Sequence, residues 1–360
     1  FVAATRQNDG KTMASLGLFY ALSKRFSNLA YMKPVGQQYQ IIEDKKVDKD
    51  AVLFKNVYSL QDSYADMSPI AVSGGFTSRY LDNPNLSELK EILMSSFSKL
   101  VENKDFLLIE GTGHAGVGSI FDLSNAHVAD LLGSKVVLVS LGGIGRAFDE
   151  IILNKAVFDL LGVEILGVIV NKVREDKYEK VSKYIRKGLE KHNLKLLGCI
   201  PFVEDLTFPT IETIFNNIQG TLLSDKLGYQ NKIEKCVIGA SVPHDVLDAL
   251  TPYSLFIVPS TREGLIMGAL CGSLLDSDGL NSVSGIVLTG GKMPHERVLT
   301  LIKKAHIPLI LVEEDSFTIA SKINAMLVKI GVNEFEKIEK IQSIFETYVD
   351  VDYICSHLSS

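Results

Sequence analysis

Phe1-Val2-Ala3 runs directly into Ala4-Thr5-Arg6-Gln7-Asn8-Asp9-Gly10-Lys11-Thr12, so a short apolar segment is followed by a turn that ends in Gly-Lys-Thr. The apolar segment predicts a buried strand, and the residues after the turn have helical periodicity. Gly10 would let the backbone approach a phosphate, Lys11 would supply a positive charge, and the Thr12 hydroxyl would hold Mg²⁺. The free N–H groups at the helix start would face the same anion. The stretch therefore predicts a phosphate-binding loop, or P-loop.

This match to a P-loop is incomplete, because Ala4 and Thr5 stand where the loop usually has its first glycine. The alternative is a helix N-terminus capped by Asn8 or Asp9, with a solvated lysine. The preceding strand and the following helix favour the P-loop. The predicted nucleotide contacts are six consecutive residues, namely Asn8, Asp9, Gly10, Lys11, Thr12 and Met13.

The composition is that of a globular protein, with 46% hydrophobic and 22% charged residues among 360. This length is enough for two domains with sizeable cores. The net charge of −6, with lysines dispersed among acids, gives no basic stripe, so nucleic acid is not an expected partner. The four cysteines lie far apart and indicate neither a C-x-x-C metal site nor a disulfide framework. This favours the cytoplasm, and no apolar run is long enough to predict a membrane span.

Strands rich in Val, Ile and Leu alternate with helical patterns through the first part of the chain. They are predicted at 28–32, 106–109, 135–140, 166–171 and 196–201, and the helix after the P-loop is expected to bury one face. Continuously apolar strands of this kind are typical of a parallel sheet covered on both sides. We therefore predict an α/β fold over residues 1–203, with a doubly wound, mostly parallel sheet of the P-loop NTPase type.

Four polar residues at the ends of these elements are candidate site residues. Lys33 ends strand 28–32 and would lie beside the P-loop, unless it is an ordinary solvated lysine. Glu110 ends strand 106–109 before a glycine-rich turn, where P-loop enzymes place a carboxylate that binds metal or organises water. Asp50, in a first helical turn, could hold metal or only compensate the helix dipole. Asn171 could read a nucleotide base or cap a helix.

A second alternation of strands and helices follows residues 204–232, which we interpret as a connector with a short helix. Residues 233–347 are predicted to form a smaller α/β domain, and 348–360 a C-terminal tail. Two of its loops, 259–264 and 289–292, follow strands and could bind an anion with Arg262 or Lys292. Equally, both loops could be plain turns.

The first domain resembles dethiobiotin synthetase and related amide-forming enzymes such as cobyrinic acid a,c-diamide synthase. The resemblance rests on the P-loop stretch, Lys33-Pro34-Val35, Asp50, Glu110-Gly111 and Val170-Asn171-Lys172-Val173. The second domain resembles the DRTGG domain through Ser260-Thr261-Arg262-Glu263 and Thr289-Gly290-Gly291. Together the two domains resemble the N-terminal portion of long-form phosphotransacetylase, without its catalytic domain.

The resemblance implies ATP and Mg²⁺ as ligands, with Lys11 and Thr12 on the β/γ-phosphates, Thr12, Asp50 and Glu110 around the metal, and Asn171 on adenine. It also implies that Lys33 and Lys11 act in catalysis, where a carboxylate or carbamate would attack the γ-phosphate. A homodimer is the implied assembly. Gln7 and Gln37 replace the substrate-facing hydroxyl side chains of the synthetase, which argues against its diaminopelargonate substrate.

Three functions stay open at this point. The first is an ATP-binding regulator or sensor whose second domain controls assembly or a partner enzyme. The second is an ATP-dependent carboxylase or amide ligase, or a weak ATPase. The third is a scaffold whose loop no longer binds a ligand.

Overall fold

The computed structural model describes residues 1–224, 226–275 and 283–358, which form two compact units. The first unit consists of Phe1–Val203 together with the chain from Phe335 onward, and the second unit is Glu204–Glu334. Within the described residues, no helix is both long and apolar enough to cross a membrane.

The first unit is an α/β structure. Its strands are β1 (Val2–Ala4), β2 (Leu29–Met32), β3 (Val35–Gly36), β4 (Tyr39–Ile42), β5 (Lys45–Asp48), β6 (Ile70–Ala71), β7 (Phe106–Ile109), β8 (Val136–Leu141), β9 (Ile165–Val173) and β10 (Leu196–Pro201). Its helices before residue 203 are α1 (Lys11–Ser23), α2 (Lys49–Val57), α3 (Tyr64–Met67), α4 (Phe76–Asp82), α5 (Leu86–Val101), α6 (Asn125–Leu131), α7 (Arg146–Leu160) and α8 (Tyr178–Glu190).

The central sheet of this unit is parallel, with the strand order β1-β8-β9-β10. The parallel pair β2-β7 is linked to β1 through a bridge between Val2 and Glu110. Apolar side chains of β8 and β9 pack with those of α7 and α8 in one core. Both strands are buried on their two faces, as expected for a parallel sheet covered by helices. The predicted fold class is confirmed. Since carboxyl ends of parallel strands share one edge, the residues that follow β1, β2 and β7 meet there.

The second unit has its own, mostly parallel sheet, with the strand order β11-β15-β14-β13-β12. The strands are β11 (Thr221–Leu222), β12 (Lys235–Ile238), β13 (Ser254–Pro259), β14 (Gly285–Thr289) and β15 (Leu309–Leu311), of which β11 is antiparallel to β15. The helices are α9 (Ile211–Asn217), α10 (Pro243–Ala249), α11 (Glu263–Leu275), α12 (Glu296–Lys304) and α13 (Ser316–Asn324).

The units differ from the predicted ranges at two places. Residues 204–232, interpreted as a connector, belong to the second unit because β11 extends its sheet and α9 packs in its core. Residue 225 of this segment lies outside the described residues. A strand as short as β11 leaves no alternating pattern in the sequence, which is why it was not predicted.

The end of the chain differs as well. The last segment of the predicted second domain forms the helix α14 (Phe335–Tyr348), but this helix belongs to the first unit, where it packs across α1. The predicted tail contains α15 (Val351–Ser356), and its last two residues lie outside the described residues. Because α14 covers a second face of α1, that helix is buried on more than the one face predicted: Ala14, Leu16, Leu18, Phe19, Ala21 and Leu22 are all buried.

Candidate nucleotide-binding site

The P-loop connects β1 to α1 and is braced from within by Asp9. The Asp9 carboxylate accepts hydrogen bonds from the Thr5 hydroxyl at 2.6 Å and from the Arg6 N–H at 2.8 Å. Burial raises the pKa of Asp9, while these two hydrogen bonds oppose the shift. The side chain of Asp9 is therefore used to shape the loop, which leaves its backbone as the group available to a ligand.

Gly10 is the last loop residue and has a left-handed backbone, with φ of 97°. A Cβ atom at this position would lie 2.2 Å from Nδ2 of Asn171, far inside contact distance. The glycine is required twice over, by backbone conformation and by the close approach of Asn171. Asn8, on the exposed side of the loop, also has a positive φ of 71°.

Asn171 lies near the end of β9 and is 1% exposed. Its Nδ2 donates to the Asp9 carbonyl at 2.9 Å, and its Oδ1 accepts from the Lys172 N–H at 2.9 Å. The Sδ atom of Met13 lies 3.9 Å from Nδ2. The amide predicted to contact adenine is thus turned into the P-loop and holds its backbone in place.

Lys11 begins α1 and is a buried cation. Lys11 is 9% exposed. Among the residues that the structure describes, none forms a hydrogen bond or an ion pair with its ammonium. Burial, followed by repulsion from Lys33, lowers the pKa of Lys11 to about 8. A buried ammonium without an anionic partner is costly, so this position favours an incoming anion.

Lys33, Asp50 and Glu110 meet at the carboxyl edge of the sheet. The Lys33 ammonium donates to Asp50 Oδ2 at 2.7 Å, to Glu110 Oε1 at 2.9 Å and to the Gly111 carbonyl at 3.1 Å. Lys33 is 4% exposed, Asp50 7% and Glu110 0%, so the cluster is shielded from water. Burial opposes the charged form of Lys33, but the carboxylates of Asp50 and Glu110 outweigh it and raise the pKa above its usual range. The structure therefore brings these three predicted residues together, with Lys33 already fully engaged.

The local folds that deliver these side chains are simple. Met32 and Ile109 are paired neighbours in β2 and β7, so the residues that follow them, Lys33 and Glu110, leave the sheet side by side. Asp50 lies in the first turn of α2, where its N–H donates to the capping carboxylate of Asp48 at 2.9 Å.

Two contributors to the cluster were not predicted. Tyr31 is fully buried, donates its hydroxyl to Glu110 Oε2 at 3.1 Å and stacks on Phe54 with ring centroids 3.7 Å apart. Asp48 is 2% exposed, and burial raises its pKa to about 6. Each lies two residues before a predicted site residue: Tyr31 and Lys33 share one face of extended chain, whereas Asp48 caps the helix whose first turn contains Asp50. That spacing was the available signal, although an aromatic in a strand and an acid before a helix have ordinary structural explanations.

The donor set fits Mg²⁺. The Thr12 hydroxyl lies 3.1 Å from Glu110 Oε1, so one hydroxyl and the carboxylates of Glu110 and Asp50 face a common volume. Mg²⁺ prefers such oxygen ligands and usually completes its shell with waters and substrate phosphates. Three or more His, Cys, Asp or Glu side chains do not converge into a metal cluster anywhere in the described ranges. Phosphate oxygens of a nucleotide would complete such a site together with waters, and the metal would offset the phosphate charge.

In the second unit, the two loops considered for anion binding carry structural contacts. The Arg262 guanidinium donates to the carbonyls of Gly239 at 2.6 Å and Ser241 at 3.2 Å, which fixes the connection between β12 and α10. Gly290 and Gly291 have positive φ of 86° and 66°, and a Cβ on Gly291 would lie 2.1 Å from the Glu313 carboxylate. These contacts favour the interpretation of both loops as turns.

The fold and the P-loop define the class, and the chain belongs to the AAA domain family, whose model matches residues 1–210. A DRTGG domain model matches residues 213–326. The predicted resemblance, a P-loop domain joined to a DRTGG domain, is confirmed.

Two curated relatives agree with this assignment. A phosphate acetyltransferase from Pseudomonas aeruginosa is 24% identical over 371 residues, which are 98% of this chain and 51% of that protein. An ATP-dependent dethiobiotin synthetase from Clostridium kluyveri is 28% identical over 231 residues, 59% of this chain and 90% of the synthetase. The chain thus spans about half the length of the phosphate acetyltransferases that it matches.

Among solved structures, the CBS and DRTGG domains of a Clostridium perfringens pyrophosphatase, complexed with the activator diadenosine tetraphosphate, are 16% identical. That match covers 48% of this chain and 85% of the solved one with a TM-score of 0.27. The score is too low to carry weight, and the domain assignment rests on the family matches.

Proposed function

We propose that the first unit binds ATP with Mg²⁺ and that the second unit turns this occupancy into a regulatory signal. Lys11 carries the proposal, because a buried ammonium without a partner among the described residues favours the anion that P-loops bind. Thr12, Asp50 and Glu110 would hold Mg²⁺, which supplies charge compensation at the phosphates. Backbone N–H groups from Asn8 to Met13 would bind the phosphate oxygens.

The regulatory part of the proposal rests on the path of the chain. The chain leaves the first unit after Val203, forms the second unit, and returns at Phe335 as α14. Within the first unit, α14 inserts Phe345 against Gly17 of α1, and Glu346 pairs with Lys24. A change in α1 on phosphate binding would therefore reach the segment that leads directly out of the second unit.

Calorimetric titration of the full chain with ATP and ADP, with and without Mg²⁺, tests the binding step. We expect binding that needs Lys11, so Lys11→Met should lose it while Lys187→Met, an exposed lysine on α8, should not. Hydrogen exchange tests the regulatory step, with slower exchange expected in α14 when ADP is bound. An absence of binding at millimolar nucleotide refutes the whole proposal, and unchanged exchange in α14 refutes the regulatory part.

A second candidate function is an ATP-dependent carboxylase or amide ligase. The conjunction of Lys33, Asp50 and Glu110 favours it, since storage of a nucleotide does not require three charged groups in one buried cluster. ADP release with diamines, carboxylates and bicarbonate would distinguish the candidates. No turnover above background, or turnover that Lys33→Ala leaves unchanged, would exclude the ligase.

The proposed setting is cytoplasmic, with a homodimer as the assembly and a controlled enzyme as the partner. Light scattering of the purified chain with and without ADP tests the assembly. A monomer under both conditions would contradict the homodimer.

A further inference from the structure

Lys33 occupies the space between the two carboxylates proposed to bind the metal. An ammonium has three N–H donors, and here all three are used, on Asp50 Oδ2, Glu110 Oε1 and the Gly111 carbonyl. The Glu110 atom that accepts from Lys33 also accepts from the Thr12 hydroxyl. Thus the ammonium is bonded to the same oxygens that would face Mg²⁺.

Two cations on this one buried pair of carboxylates would repel each other strongly, because water is excluded from the cluster. Asp50 and Glu110 together carry two negative charges, and Lys33 already offsets one of them. A divalent ion that reached these oxygens would have to displace the ammonium. Since Lys33 also repels Lys11, the displaced ammonium would need a new anion close to both lysines.

From this arrangement we infer that Lys33 is an exchangeable counter-ion that reserves the metal site until a nucleotide arrives. Without nucleotide, Lys33 occupies the oxygens of both Asp50 and Glu110 and offsets one of their two negative charges, so the protein has little affinity for divalent ions. When the metal arrives with a nucleotide, it takes over the carboxylates and Lys33 turns to the phosphates beside Lys11. The inference rests on the proposed function and makes Lys33 a positioning residue for the metal as well as a phosphate ligand.

Binding of Mn²⁺ to the full chain, followed by electron paramagnetic resonance, tests this exchange without any activity measurement. For the wild type we expect Mn²⁺ binding at least tenfold tighter with ADP than without it. For Lys33→Met we expect Mn²⁺ binding without nucleotide at least tenfold tighter than in the wild type, because no cation then occupies the oxygens of the two carboxylates. Lys33→Arg keeps the cation and should stay as weak as the wild type, and adding Asp50→Asn to Lys33→Met should abolish the gain.

Wild-type protein that binds Mn²⁺ equally well with and without ADP would overturn the inference, and so would a folded Lys33→Met variant that binds no tighter than wild type. If Lys33→Met fails to fold, the wild-type comparison and Lys33→Arg decide. Binding of ADP without metal, measured separately, distinguishes the two proposals. If ADP binds and the Mn²⁺ result fails, only the counter-ion role is wrong, whereas no ADP binding removes the proposed function itself.

Discussion

Replacement of Lys11 by methionine should stabilise the protein while it abolishes phosphate binding. Methionine is close to lysine in length and carries no charge, so the change removes the buried ammonium and keeps most of the packing. The charged form of Lys11 is penalised in the folded state by burial and by Lys33. In the unfolded chain this penalty is absent.

The size of the effect follows from the pKa. The folded-state value of about 8 lies below the ordinary value of 10.5. At 1.36 kcal/mol for each pKa unit, the charged form costs the fold about 3 kcal/mol at neutral pH. The sign follows from proton counts, because between pH 8 and 10.5 the unfolded chain holds the Lys11 proton and the folded protein has released it. Relative to Lys11→Met, the free energy of unfolding of the wild type should therefore rise by about 3 kcal/mol as pH increases from 8 to 10.5.

Urea unfolding followed by circular dichroism at pH 7, 8, 9 and 10 measures this difference; the chain has no tryptophan for fluorescence. Lys187→Met, at an exposed position of α8, is the matched control and should show no pH-dependent difference from the wild type. Adding ADP at 1,000 times its Kd should then reverse the order at pH 7, because ligand at that concentration adds about 4.1 kcal/mol to the wild type alone. Equal stability of wild type and Lys11→Met at pH 7, or a difference that does not narrow with rising pH, would refute this reasoning.

Three further predictions concern the P-loop, the helix α14 and a buried acid. Asn171→Ala should weaken ATP, GTP and tripolyphosphate binding by the same factor, since Asn171 holds the loop backbone; a loss confined to ATP would instead indicate that it reads the base. Gly17→Ala should lower the midpoint of thermal unfolding, because the new Cβ would lie 2.0 Å from the buried Phe345 ring. The double variant with Phe345→Ala should lose less unfolding free energy than the two single variants lose together. Asp48→Asn should remove a pH dependence of the thermal midpoint. The folded pKa of Asp48, about 6, exceeds the ordinary 3.8, so the folded wild type binds a proton more tightly than the unfolded chain and loses stability as pH rises through this range. Thermal unfolding from pH 4 to 7 should show this loss in the wild type and not in the variant.

Much of the first unit was predictable because its signals are local. Continuous apolar strands followed by polar residues indicated a parallel sheet and the edge at which Lys33 and Glu110 lie. The Gly-Lys-Thr turn indicated the loop because the strand before it and the helix after it are both visible in the sequence. These features depend on residue types within a few positions of one another.

The direction of individual side chains was not predictable in the same way. Asn171 comes from a strand 161 residues after Gly10, and its amide could cap a helix, read a base or brace the loop. The hydrogen bond to the Asp9 carbonyl favours the bracing role, and it depends on the approach of β9 to the P-loop. Likewise, Lys33 looks like a free phosphate ligand until Asp50 and Glu110 are seen around its ammonium.

The amino-acid sequence was enough to predict a P-loop and a mostly parallel sheet from local periodicity and a short motif, and a DRTGG domain from its resemblance to that family. The three-dimensional fold was needed to show that the chain returns to the first unit as α14, that Lys33 pairs with two carboxylates, and that Lys11 is left as a buried cation. The physical reason is that burial and charge pairing depend on contacts between segments far apart in the chain. Such contacts leave no periodic pattern in either segment alone.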